Sequence, residues 1–181
     1  MQFNQSLFNS LFSFAHRNGL LDGVIIFFAQ YLTYILIFFI LVLLAREPFR
    51  RRVFFFAEIS LAVLLARGVI TETFRFFYIH PRPFDALGIA SLIPESGNSF
   101  PSGHMTFLFA MLVAVYVIDR RAGIFFGLGA FVVGFARIAS GVHWPLDIAG
   151  GIIIGWGVGY LAHRLLAPYF VKLATEETPQ S

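Results

Sequence analysis

Cysteine is absent from the 181 residues, which removes disulfides, thiolate catalysis and cysteine-based metal sites and leaves the compartment open. Lysine is nearly absent: among the 13 basic residues Lys172 stands alone and the rest are Arg. Charge of either sign is scarce, at 13% of residues, against about 25% in an ordinary soluble domain. The N-terminus has no positively charged stretch of the kind that opens a secretory signal. What fills the chain instead is apolar: 58% hydrophobic and 18% aromatic residues, with a mean hydropathy of +0.79. A chain of this length has too little interior to hide that much apolar surface from water, and it is too apolar to stay disordered. The solvent must itself be apolar, so an integral membrane protein of one mostly helical domain is expected. The net charge of +3 permits a nucleic-acid partner, but the Arg residues punctuate apolar runs and form no single stripe, so none is expected.

A spanning helix needs about 20 largely apolar residues. Val24–Ala45, Val53–Ile70, Met105–Ile118 with its Pro101–His104 entry, Ala122–Ala139 and Ile148–Leu166 meet or approach that length. Gly123, Gly127, Gly129 and Gly134 suggest close helix contact in the fourth run. Residues 1–22 differ. Phe3, Leu7, Phe8, Leu11, Phe12 and Ala15 recur at helical spacing, with Gln2, Asn4, Gln5, Ser6, Asn9 and Ser13 on the other face. That pattern predicts an amphipathic helix lying on the membrane, ended by Asn18-Gly19. The bundle then covers 23–170, and 171–181 reads as a disordered tail. Arg46, Arg50, Arg51, Arg52, Arg120, Arg121, Arg164 and Lys172 fall on one side of this layout, which the positive-inside rule makes cytoplasmic.

Three segments fall at the opposite end. They are Arg75 to Arg82-Pro83, Phe100-Pro101-Ser102-Gly103-His104, and Arg137 through His143 to Asp147. Fixed guanidiniums, backbone donors and a titratable imidazole are what phosphate chemistry requires. Each piece has a plainer reading, as a headgroup anchor, an interfacial histidine or a helix boundary. His104, His143 and Asp147 could also ligate zinc, although three nearby Arg charges repel a dication. Glu58 and Arg67 lie inside the second run, where charge is costly. About 14 Å apart along one helix, they cannot pair with each other, and Glu58 is expected to contact another span. Phe84–Phe100, with Asp85 and Glu95, is long enough to cover a site as a lid or entry wall, or to serve only as a connector.

Taken in order, the three segments resemble the motif triplet of the type 2 phosphatidic acid phosphatase family, related to acid phosphatases and vanadium haloperoxidases. Arg75 and Arg82-Pro83 fit the first motif, Pro101-Ser102-Gly103-His104 the second, and Arg137, His143 and Asp147 the third. Arg75 stands where the family usually has Lys, and Ala136 where it has Ser. The resemblance implies a helical bundle of five transmembrane helices plus the interfacial helix, acid phosphatase/vanadium haloperoxidase-like in fold. It implies a phosphohistidine mechanism without cofactor or metal. His143 is then the nucleophile, Asp147 its orienting partner and His104 the acid and base. Arg75, Arg82, Arg137, Ser102 and Gly103 hold the phosphate. The stretch His16-Arg17-Asn18-Gly19-Leu20-Leu21-Asp22 is similar to the bacterial undecaprenyl-diphosphatase branch. That branch implies a polyprenyl diphosphate substrate and an extracytoplasmic site in the bacterial inner membrane. Phosphatidate or phosphatidylglycerophosphate hydrolysis and lipid phosphotransfer share the same motifs. A transporter or scaffold with a degenerate site is the alternative of another class.

Overall fold

The computed structural model describes residues 2–175, and side chains through Tyr169. Its regular elements are all helices, with no strand among the described residues. Helix α1 spans Gln2–Phe12, α2 Gly19–Ala45 and α3 Phe49–Phe77. A short α4 covers Pro83–Leu87, followed by α5 at Gly103–Ile118, α6 at Arg120–Ala139 and α7 at Pro145–Thr175. Helices α2, α3, α6 and α7 are long and apolar enough to cross a membrane. Helix α5, at 16 residues, is about 24 Å long at 1.5 Å per residue, short of a hydrocarbon core of about 30 Å. It compensates by sitting at the centre: Met105, Leu108, Phe109, Met111 and Val115 are all buried. Phe38, Phe125, Ile153 and Leu165, on the outer helices, are exposed, as a lipid-facing surface requires.

The tightest packing is between α5 and α7. A Cβ added at Gly151 would lie 2.6 Å from the carbonyl oxygen of Ser102, one at Gly155 2.4 Å from that of Thr106, and one at Gly159 2.6 Å from that of Ala110. This four-residue glycine spacing lets the two backbones touch. Of the glycines singled out in α6, Gly123 is pressed against Tyr116 and Gly129 against Leu36, whereas Gly127 is only in ordinary contact.

Two details differ from expectation. The amphipathic helix stops at Phe12, and Asn18 opens the next helix instead of closing the first: its side chain accepts from Leu21 N at 2.8 Å. An extended Asn before a helix satisfies a free N–H, which outweighs its use as a terminator here. Helix α1 also does more than lie on a surface. Phe8 is fully buried, its ring 5.0 Å from that of Trp144, and Asn4 Oδ1 accepts from Leu146 N at 3.0 Å. Helix α7 continues to Thr175, and the rest of the expected tail lies outside the described residues.

Helices α2 and α3 each contain a π-helical turn, at Phe27–Tyr31 and Leu64–Ile70. Such turns shift the register of all that follows and often mark functional positions. Chain direction puts the ends of α3 and α6 and the starts of α5 and α7 at one end of the bundle. Arg46, Arg50–Arg52, Arg120 and Arg121 fall at the other.

Candidate active site

The three motif segments meet at that first end. A cavity of about 280 Å³ is lined by Arg75, Arg82, Gly103, His104, Arg137 and His143, together with Arg67, Glu95 and residues of α2. Asp147 and Ser102 lie behind the wall, both fully buried. All eight residues picked out by the motifs therefore gather in one place, six of them on the cavity surface.

His143 sits in the turn between α6 and α7 with its two ring nitrogens in different company. Nδ1 is 3.4 Å from Asp147 Oδ2 and 3.4 Å from Ser99 Oγ. Nε2 faces the cavity, 3.5 Å from Arg82 Nη1. Burial, and then the guanidiniums of Arg137 and Arg82, hold the imidazole well below the ordinary histidine range. It is therefore neutral at pH 7, and a carboxylate at Nδ1 favours the tautomer with its proton there. That leaves the Nε2 lone pair pointing at the cavity.

Asp147 is in the first turn of α7, with Pro145 opening the helix, a favourable place for both. Its Oδ2 accepts from the Trp144 backbone N–H at 2.7 Å and from Ser99 Oγ. His80 Nε2 is 3.7 Å from Oδ1, and the Ser102 N–H donates to the Asp147 carbonyl at 3.0 Å. Oδ2 is thus held from three sides, by Trp144, Ser99 and His143, while Oδ1 has no hydrogen-bond partner among the described residues.

Arg82 donates to three backbone carbonyls, of Gly97, Val142 and Ser96, at 3.1, 2.9 and 3.1 Å. Arg137 donates through Nη1 to Ala29 in the first π turn at 3.3 Å and lies 3.4 Å from His104 Nε2. Between the two guanidiniums stands the carboxylate of Glu95, 3.4 Å from Arg82 Nη2 and in direct contact with Arg137 Nη2. Burial pushes the Glu95 carboxyl up, but Arg137 and Arg82 more than offset this and hold it below the usual carboxylate range. Arg75 donates to the Pro101 carbonyl at 3.2 Å. Buried Ser102 Oγ, Arg75 Nε and Arg137 Nε have no hydrogen-bond partner among the described residues. Unpaired buried groups gathered around one cavity mark a site that expects a polar ligand.

Glu95, Ser99, His80 and Arg67 were not picked out as site residues from sequence. Arg67 carried one signal, a charge inside a span. The 84–100 segment is no free flap either. It is tied down at Ala90 by His16 Nε2 at 3.0 Å, at Leu92 by the Ser140 carbonyl at 2.9 Å and at Ser99 by the His80 carbonyl at 2.8 Å. Glu58, as expected, meets another span: His163 Nδ1 of α7 lies 3.1 Å from its Oε1.

A multi-pass helical bundle holding guanidiniums, two imidazoles and a buried carboxylate around one cavity is a membrane enzyme built for phosphate esters. The PAP2 superfamily profile matches residues 56–169. Over 175 residues the chain is 31% identical to "Undecaprenyl-diphosphatase BcrC" of Bacillus subtilis, covering 92% of this chain and 87% of that protein. It is likewise 31% identical over 157 residues to "Bacitracin transport permease protein BcrC" of Bacillus licheniformis, covering 85% and 76%. The crystal structure of Aquifex aeolicus LpxE superimposes with a TM-score of 0.74 at 27% identity, over 90% of this chain and 95% of that one. The chain belongs to the PAP2 superfamily and is a lipid phosphatase of that family.

Proposed function

We propose that this protein hydrolyses undecaprenyl diphosphate to undecaprenyl phosphate and inorganic phosphate through a phosphohistidine, with its site on the outer face of the bacterial inner membrane. The observation that carries the reaction is the placing of His143, with Nε2 3.5 Å from Arg82 Nη1, on a cavity that is also lined by Arg67, Arg75, Arg137 and His104. His143 Nε2 attacks the terminal phosphorus while Asp147 stabilises the charge that develops on the ring. The bond from that phosphorus to the bridging oxygen breaks, and the lipid monophosphate leaves with a proton from His104. His104 then takes a proton from water, which attacks the phosphohistidine and releases inorganic phosphate. Arg75, Arg82 and Arg137, the Gly103 N–H at the start of α5 and the free Ser102 hydroxyl neutralise the phosphoryl oxygens.

The substrate assignment rests on the relative named undecaprenyl-diphosphatase, matched over most of both chains. The outward orientation rests on the basic loops at the opposite end. The name of the second relative keeps a transport reading open, and one assay separates the two. Phosphate release is measured in detergent, with a chelator present, from undecaprenyl diphosphate and from phosphatidate. Release persists in chelator, vanishes in His143→Ala and favours undecaprenyl diphosphate by about tenfold or more in kcat/KM. No release from either lipid points to transport, and faster release from phosphatidate overturns the substrate assignment.

A further inference from the structure

The cavity is lined by a fourth guanidinium, that of Arg67. Arg67 belongs to none of the three motifs and the mechanism above does not use it. It lies in the π turn of α3, ten residues before the helix ends at Phe77, or about 15 Å along the axis. A charge that deep in a span is costly and is kept where it has work to do. The π turn swings Arg67 across the first residue of α5: a Cβ at Gly103 would lie 2.7 Å from Arg67 Nε. Arg75 meets the same stretch of chain from its own helical turn, at the Pro101 carbonyl.

The four guanidiniums fall into two pairs, each sharing one carboxylate. Arg82 and Arg137 share Glu95. Arg67 and Arg75 share Glu72 Oε1, in direct contact with Arg67 Nη1 and 3.5 Å from Arg75 Nη1. A carboxylate between two Arg forks is the side-chain counterpart of a bound phosphoryl group; Glu95 lines the cavity, whereas Glu72 lies off it and holds Arg67 and Arg75 from outside. His143 stands at the first pair. His104 follows Gly103 in the chain, and its Nε2 is 3.4 Å from Arg137 of that first pair.

We propose that Arg67, beside Arg75, forms a second anion subsite that receives the inner phosphate of a diphosphate ester, with Arg75 reaching both phosphates, and that Arg67 selects diphosphates over monophosphates. The proposal rests on the lipid-phosphatase reading and sharpens its substrate class. The outer phosphoryl sits between Arg82 and Arg137, where His143 attacks it. The broken bond is the one from that phosphorus to the bridging oxygen. Its electron pair stays with the lipid monophosphate, and the Arg67–Arg75 pair stabilises the charge that develops there. A monophosphate ester fills only the first subsite and gains nothing from Arg67.

Farnesyl diphosphate and farnesyl monophosphate are suitable detergent-soluble probes. Phosphate release from each is measured for the wild-type protein, Arg67→Gln and Arg67→Lys. The ratio of kcat/KM, diphosphate over monophosphate, falls about tenfold or more in Arg67→Gln, and Arg67→Lys keeps the larger part of it. Equal losses on both probes overturn the proposal. Thermal melting in detergent with inorganic pyrophosphate or orthophosphate reads the subsite without turnover or mutation. Pyrophosphate raises Tm more than orthophosphate at equal concentration, because it binds the folded state more tightly. Equal shifts overturn the subsite. A wild-type protein that releases no phosphate while pyrophosphate still stabilises it preferentially sinks the enzymatic reading and leaves the subsite standing.

Discussion

The two halves of the site are held in different ways. His104, His143 and Asp147 ride on α5 and at the start of α7, two helices whose backbones meet with only glycine between them. The guanidiniums come from α3, α6 and the loop before α4, and four of them are held by ion pairs with Glu72 and Glu95. Backbone contact fixes a geometry, whereas a carboxylate in an ion pair can be exchanged for another anion. The histidines are thus set by the helix frame, and the guanidiniums by backbone carbonyls together with carboxylates that another anion can exchange.

The largest effect that would sharpen this contrast lies at His143, the proposed nucleophile. His143→Ala lowers phosphate release by about four orders of magnitude or more, as loss of a covalent nucleophile does, while detergent-solubilised protein stays folded. Residual turnover near wild type would remove His143 from the chemistry. Next is the helix contact. Gly155→Val forces a side chain against the Thr106 carbonyl and costs about 1–3 kcal/mol, read as a lower Tm and lower activity. Gly157→Ala, on the same helix with nothing within 4 Å of the added atom, changes neither. If the two variants behave alike, the backbone contact is not what holds the frame.

A smaller effect falls on the exchangeable side. Glu95→Gln removes the resident anion, so inorganic phosphate inhibits about three- to tenfold more tightly, measured as a competitive Ki. An unchanged Ki breaks the idea that Glu95 occupies the ligand's place. The smallest is in pH. His143 has a depressed pKa in the fold, so below about 6.5 the unfolded chain binds the proton first. Stability is lost as pH falls through that range. The drop in Tm between pH 7.5 and pH 5.5 therefore shrinks in His143→Asn, and an unaltered drop assigns it to other groups.

Much of this was legible because motif chemistry depends on spacing, and spacing survives in a linear string. Arg75, Arg82, His104, Arg137, His143 and Asp147 all converge. The bundle was legible from runs of apolar residues, which the membrane demands. Ser99 and Glu95 were hidden because their partners depend on the path of an irregular loop, set by hydrogen bonds with His16 and to the carbonyls of Ser140 and His80. Arg67 showed only its cost, since no periodicity rule foretells a π turn. The close contacts expected of α6 are there at Gly123 and Gly129, while the glycine seam of α7 against α5 went unread, because glycine counts do not say which face a neighbour uses.

One consequence follows from the seating of Phe8 against Trp144 and of Asn4 on the Leu146 N–H. Trp144 is the residue after His143, so the first helix acts as a keystone under the turn that carries His143. Deleting residues 2–12, or loading them with a bulky fusion, will therefore register first in turnover and only afterwards in membrane retention.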